Sequence, residues 1–179
     1  TDQASGNAVF ASLDGLDGLV NCAGILRRGD EYDIDVFQRV IDVNLVGTMR
    51  CCLAAHPLLA NSKGSIVNMA SMLSTFGGPL VPAYSASKGG VSQLTKALAG
   101  QWAESGIRVN AIAPGWIETE MTQGLRDNPE RAEGIMARTP MKRWGKTSEV
   151  GALVRWLLSD EASFVTGSVY PVDGGYLAM

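Results

Sequence analysis

The 179-residue sequence contains one histidine, three cysteines and no block of like charge. Each scarcity excludes something. The lone histidine, His56, stands before Pro57, and no ligand cluster can be assembled around it, so no metal site is expected. Cys22, Cys51 and Cys52 are odd in number and lack Cys-x-x-Cys spacing. That excludes a disulfide framework or a zinc site and points to a reduced, cytoplasmic protein. The formal charge is −3 with no basic stripe, which disfavours nucleic acid and anionic membrane as partners. No apolar stretch reads as long and clean enough to span a bilayer, and the polar N-terminus does not resemble a signal peptide. Internal repeats, linkers and low-complexity segments are missing, so a single domain over residues 1–179 is expected. The first residue is Thr rather than Met, which suggests that something upstream is absent.

What is present is an alternation of short apolar runs with longer helical patterns. Asp2 is placed to cap a helix over 4–13. Residues 18–22 predict a strand closed by Ala23-Gly24. A helix with an acidic entry at Asp33 and Asp35 runs to about residue 59, with Phe37, Val40, Ile41 and Leu45 at helical spacing. Residues 65–69, with Ile66 and Val67, predict a second strand. A Gly-, Pro- and Ser-rich loop over 72–83 precedes a helix to about residue 104, whose apolar face carries Val91, Leu94, Leu98 and Trp102. Strands are predicted at 107–113 and 169–172, and a helix at 147–158 capped by Thr147 or Ser148. The segment 116–146 reads as a polar, irregular lid with at most short helices. Strands alternating with helices predict an α/β fold, a doubly wound parallel sheet of Rossmann type. In such sheets ligands bind beyond the carboxyl ends of the strands. Asn21–Gly24, Ser71 and the 114–119 segment all fall there.

The chemistry-bearing pair is Tyr84 and Lys88 in Pro-Ala-Tyr-Ser-Ala-Ser-Lys-Gly-Gly (82–90). Residues four apart share a helix face. An ammonium beside a phenol favours phenolate and is expected to lower the tyrosine pKa. A phenol so tuned exchanges protons with an alcohol or carbonyl, and the Ser71 hydroxyl can hold the same oxygen.

The chain resembles the short-chain dehydrogenase/reductase family. Asn21-Cys22-Ala23-Gly24 is similar to its Asn-Asn-Ala-Gly motif. Asn44, Ser71, Tyr84 and Lys88 match its catalytic tetrad. Pro114-Gly115-x-Ile117-x-Thr119 matches its nicotinamide-side loop, and Val172-Asp173-Gly174-Gly175 its C-terminal signature. The ordered set is far more specific than one Tyr-x-x-x-Lys. The resemblance implies an NAD- or NADP-dependent oxidoreductase interconverting a secondary alcohol and a ketone. It implies Tyr84 as general acid/base, Lys88 as its tuner and ribose ligand, and Ser71 as holder of the substrate oxygen. It implies that Asn44 keeps a water in a proton relay. Asn21, Ala23, Gly24, Tyr84, Lys88, Pro114, Gly115, Ile117 and Thr119 would contact the cofactor. It also implies a homo-tetramer or homo-dimer through helices 34–60 and 84–104.

The flanks resemble the family's sugar-acid and polyol dehydrogenases, and Arg27, Arg28 or Arg143 is placed to meet a substrate carboxylate as a fork. Trp116 and Trp144 are candidate pocket walls, and Cys22 reads as a small core residue. Acyl-carrier-protein ketone reductases share much of the same frame and stand as the alternative. The family also opens on a strand and a Gly-x-x-x-Gly-x-Gly turn, which this sequence lacks. The expectation is a truncated chain that starts after the family's third strand, short by two βαβ units or roughly 60 residues. That would leave the 18–22 strand as an apolar edge. A third reading follows from it, an inactive interaction module.

Overall fold

Short runs rich in valine, isoleucine and alanine form the centre of the molecule, because branched side chains fit a pleated surface covered on both faces. The computed structural model describes residues 3–179. Four strands, β1 (Gly18–Asn21), β2 (Ser65–Met69), β3 (Arg108–Pro114) and β4 (Val169–Val172), form one parallel sheet in the order β1-β2-β3-β4. Helices connect them, as parallel neighbours require. They are α1 (Gln3–Ala11), α2 (Ile34–Ile41), α3 (Gly47–Ser62), α4 (Pro82–Trp102), α5 (Glu120–Arg126), α6 (Pro129–Arg138) and α7 (Thr147–Leu158). The Rossmann-like α/β class expected from the sequence is the class observed.

Strand register explains how both faces are covered. Leu19, Ile66 and Val109 are paired across three strands and pack with Cys52, Ala55 and Leu59 of α3 and Leu98 and Trp102 of α4. One residue further along, Val20 and Val67 point the other way, with Ile112, toward Leu157 of α7. Asn21 and Asn68 follow, on the α3/α4 side. Asn21 Nδ2 donates to Asn68 Oδ1 at 2.8 Å and to Cys52 Sγ at 3.3 Å, and Asn68 Nδ2 donates to Thr95 Oγ1 at 3.0 Å. This buried polar ladder ties two strands to α3 and α4 just below the sheet's carboxyl edge. The Asn21 side chain is therefore committed inward, to the sheet and α3.

Local differences from the sequence reading have local causes. The helix expected from Asp33 begins there, with Asp33 Oδ1 accepting from Asp35 N and Val36 N. It is interrupted at Asp42–Val46 by a π-helical turn, an extra residue that apolar spacing does not reveal. The cap of α7 is Lys146, not Thr147 or Ser148, because Glu149 reaches back to accept from Lys146 N at 2.7 Å. The 116–146 segment contains two helices, α5 and α6. Asp2 lies outside the described residues.

The run Ile34–Ser62 is 29 residues long and holds an 18-residue window of mean hydropathy 1.2, long and apolar enough by length and composition to cross a membrane. This corrects the sequence reading, which set such a stretch aside. In the fold its Val40, Cys52, Ala55 and Leu59 are fully buried.

Replacing Asn68 by Ala would leave the Asn21 amide and the Thr95 hydroxyl each short of a partner, in a cavity. The expected loss is about 3 kcal/mol in urea unfolding. A loss under ~1 kcal/mol would show that the ladder contributes little.

Candidate active site

A cleft of about 460 Å³ opens at the carboxyl edge of β1, β2 and β3, where loops after successive strands diverge. Gly24, Ser71, Tyr84, Lys88, Pro114, Gly115, Ile117 and Thr119 line it together with Cys22, Met69, Ala70 and Met121. Ala23 does not reach it, and neither does Asn21. Cys22 is exposed at this cleft, which corrects its reading as a core residue. Cys52 is the buried one, and burial pushes its thiol up to about 12.

Tyr84 and Lys88 sit in the first two turns of α4. The helix starts at Pro82, whose missing N–H costs nothing at that position. Ser71 follows β2 in extended backbone and caps a short 3-10 turn, Met72–Ser74, its Oγ accepting from Leu73 N at 3.2 Å. Ser74 Oγ in turn accepts from Ser71 N at 3.3 Å and donates to the Lys88 carbonyl at 2.8 Å. The Ser71 loop is therefore anchored to α4, and Ser71 lines the same cleft as Tyr84 and favours the ionised phenol.

The electrostatics differ from the sequence expectation. Lys88 Nζ is not among the groups that shift the phenol's pKa. It lies 5.5 Å from the Tyr84 ring centroid and donates to the Met69 carbonyl at 2.6 Å. Burial pushes the Tyr84 phenol above its ordinary value; Ser71 opposes this and the Glu31 charge adds to it. Burial also pulls the Lys88 ammonium down to about 8. Desolvation thus outweighs the expected mutual tuning.

Asn44 lies in the π-helical turn and is fully buried. Its Nδ2 donates to the Ile25 carbonyl at 2.9 Å and to Ser87 Oγ at 3.0 Å, while its Oδ1 accepts from Ile25 N at 2.8 Å. Both amide hydrogens are engaged, and one Oδ1 lone pair remains. A Cβ added at Gly24 would stand 3.4 Å from Asn44 Oδ1 and 3.6 Å from Lys88 Nζ. Only glycine leaves that gap between the two side chains open.

Sequence reasoning missed Glu31. It is 1% exposed, although it sits in a polar stretch, Gly29-Asp30-Glu31-Tyr32-Asp33. Its Oε1 accepts from Arg27 N and its Oε2 from Tyr84 N, each at 2.8 Å. The carboxylate caps the N-terminus of α4, where an anion is favoured, and fixes the loop after β1 against the turn that carries Tyr84. Nothing in the local pattern distinguishes it from a solvated acid.

The far wall is built from close approaches. A Cβ at Gly115 would fall 2.7 Å from Asp173 Cα, so this loop needs glycine to lie against the chain after β4. Asp173 accepts from Gly175 N and Leu177 N at 2.9 and 2.8 Å and holds that turn. Thr122 Oγ1 donates to the Ile117 carbonyl at 2.6 Å and to the Thr119 carbonyl at 3.1 Å, which fixes the entry to α5. Of the three arginines proposed as a carboxylate fork, Arg143 is engaged by Glu149 at 2.6 and 2.9 Å. Trp116 and Trp144 pack edge to face at 6.0 Å outside the Tyr84 cleft.

The family described as enoyl-(acyl carrier protein) reductase matches residues 3–177, and the chain belongs to the short-chain dehydrogenase/reductase family. It is 44% identical over 166 residues to 2-dehydro-3-deoxy-D-gluconate 5-dehydrogenase of Bacillus subtilis (strain 168), covering 91% of this chain and 65% of that protein. It is 44% identical over 167 residues to the 3-oxoacyl-[acyl-carrier-protein] reductase FabG of Thermotoga maritima, covering 89% and 65%. The crystal structure of gluconate 5-dehydrogenase from Burkholderia cenocepacia J2315, in complex with NADP and tartrate, superposes with a TM-score of 0.95. It is 34% identical, with 99% of this chain and 72% of that one covered. The chain thus spans about two thirds of the length of these curated relatives.

Lys88 gives a pH test. Its folded value of about 8 lies below the ordinary ~10.4 of an unfolded lysine. Below pH 8 both states are charged, and the folded state bears the whole burial cost. Between about 8 and 10.4 the folded state releases its proton first, and the cost fades. Lys88→Met is therefore expected to be more stable than the parent at pH 7, by about 1–3 kcal/mol. That gain should shrink toward zero by pH 10. Tyr84 is common to both proteins and cancels in the difference. Denaturant titrations at pH 7 and 9.5 check this, and an equal gain at both values contradicts it.

Proposed function

We propose that this chain carries the proton-transfer half of an NAD(P)-dependent secondary-alcohol dehydrogenase acting on a sugar acid or polyol. The observation that carries the reading is the single cleft in which Ser71, Tyr84 and Lys88 meet Gly24 and the Pro114–Thr119 loop. The cleft fits a nicotinamide riboside. Gly24 leaves a gap beside Asn44 Oδ1 and Lys88 Nζ that a Cβ would occupy, and Lys88 and Thr119 line the cleft with polar groups. Lys88, Gly24, Pro114, Gly115, Ile117 and Thr119 are the residues that would hold it. When bound, NAD or NADP supplies or accepts the hydride.

The protein's own part is the proton and the oxygen. Tyr84 donates its phenolic proton to a carbonyl oxygen being reduced, or takes it from an alcohol being oxidised. Ser71 hydrogen-bonds the same oxygen, so the reacting atom is held before the proton moves. A raised phenol value suits the reducing direction, because the proton is present at neutral pH. Lys88, close to neutrality at about 8, carries a proton it can release, and the gap beside Gly24 leads from it toward Asn44 Oδ1. A water there would continue the relay.

Substrate class rests on the relatives. The Bacillus subtilis relative is a dehydrogenase of a deoxy sugar acid, and the Burkholderia structure holds tartrate, a hydroxylated dicarboxylate. The 44% identity to a 3-oxoacyl-carrier-protein reductase favours a second reading on the same machinery. Turnover of aldonates, polyols and acetoacetyl thioester with NADH and NADPH separates the two. Under either reading Tyr84→Phe, with unchanged circular dichroism, is expected to lose about 10³-fold in kcat. Retained turnover would remove Tyr84 from the mechanism.

We further infer association of two or four copies through helices 34–60 and 84–104. Leu53 on α3 is 51% exposed, a large apolar side chain on one of these helices. Sedimentation is expected to give a dimer or tetramer at micromolar concentration, weakened by Leu53→Glu. A monomer contradicts the inference.

A further inference from the structure

A second cavity, about 330 Å³, lies on the lid side of the molecule and has no role in proton transfer. Its walls are Arg28, Leu80, Trp116, Leu125, Arg131 and Tyr176, with Ile135 behind them. Two guanidinium groups from separate elements, the loop after β1 and α6, border this space. The ion pair found among the described residues is Arg143–Glu149, so neither Arg28 nor Arg131 has a carboxylate partner among them. Arg138 adds a third cation, 4.4 Å over the ring of Tyr176.

Leu80, Leu125 and Ile135 supply apolar wall, and the charged groups bordering the cavity are two guanidiniums, which can only donate hydrogen bonds. Such a set suits an anion with oxygen acceptors.

The cavity adjoins the Tyr84 cleft along two elements. Gly115 and Ile117 line the cleft, and Trp116 between them lines the second cavity. On α5, Met121 and Thr122 line the cleft, and Leu125, one turn on, lines the second cavity. One helical turn is about 5 Å, so a short extended chain could place one end at each site.

We propose that this cavity is a carboxylate subsite, in which Arg28 and Arg131 hold the acid end of an open-chain hydroxy acid. The carbon being oxidised or reduced then lies at Tyr84. The inference rests on the sugar-acid reading above and names the residues that would select the acid over the neutral polyol. Arg28 was one of three arginines the sequence nominated. Arg143 is engaged by Glu149, and Arg131 lies in the segment that the sequence marks only as a polar lid. Bidentate hydrogen bonding to a carboxylate is the particular property of a guanidinium.

The test is a binding measurement on the full chain without cofactor, using gluconate and glucitol, which differ at the acid carbon. Calorimetry, with Trp fluorescence as a second readout, is expected to show gluconate binding at least ten-fold tighter than glucitol. Arg28→Gln with Arg131→Gln should abolish that preference and leave glucitol binding unchanged. Arg155→Gln, which removes an exposed charge on α7, should preserve it. Equal affinity for the two compounds overturns the proposal, as does a double variant that keeps the preference, or an Arg155→Gln loss as large as the double variant's. Because no turnover is measured, these outcomes are independent of the Tyr84→Phe result. A chain that binds gluconate through both arginines yet turns over no hydroxy acid would overturn the dehydrogenase reading and leave the subsite standing.

Discussion

The buried amide of Asn44 is the interaction on which the site geometry depends. It joins three segments that are distant in sequence: the loop after β1 through both backbone groups of Ile25, the α2–α3 helix on which it stands, and α4 through Ser87. At a buried position, leaving any one of those bonds unmade would cost more than it would at the surface, so the arrangement is strongly specified. The π-helical turn at Asp42–Val46 is the backbone adjustment that accompanies it. Glu31 acts in the same way at the other end of the loop, taking the N–H groups of Arg27 and Tyr84. The loop after β1 is thereby pinned to α4 at two points, and Tyr84 lies between them.

The opposite wall is held differently, by backbone fitting against backbone. Gly115 lets the loop after β3 lie against Asp173, and Asp173 holds the turn after β4 through its carboxylate. The polar clamp at Asn44 and Glu31 and the glycine contact at Gly115 fix the two sides of one cleft independently. Ser71, Tyr84 and Lys88 project into it from β2 and α4, elements anchored in the core by Ile66, Val91 and Leu98. A rigid sheet supports the reacting groups, while the walls come from loops, the usual division of labour in α/β proteins.

Much of this arrangement could be read from the sequence, and the parts that could not share a physical reason. Strand and helix order followed from apolar runs and turn residues, which are local signals. The residues Gly24, Ser71, Tyr84, Lys88, Gly115, Ile117 and Thr119 were gathered at strand ends by the topology rule, and they do line one cleft. The inward turn of the Asn21 side chain was not legible, because a strand's alternation tells which residues share a face but not which face meets α3. Glu31 was invisible because its burial arises from a contact 53 positions away. The pKa of Tyr84 was misjudged for the same reason. Helical spacing brings Lys88 to the right face, but only the packed structure shows that its Nζ turns to the Met69 carbonyl and that burial outweighs the charge.

Two kinds of electrostatic environment result, and they suit different tasks. Around Tyr84 and Lys88 charge is disfavoured: the phenol is held protonated and the lysine is brought close to neutrality, so protons can move at modest cost near pH 8. On the lid side, Arg28 and Arg131 are exposed and have no carboxylate partner among the described residues, which suits holding an anion rather than exchanging a proton with it. A carboxylate placed in the buried cleft would raise the phenol further and favour charge on Lys88. Under the proposed reading, holding the acid end of a substrate at the arginines keeps that charge out of the buried cleft.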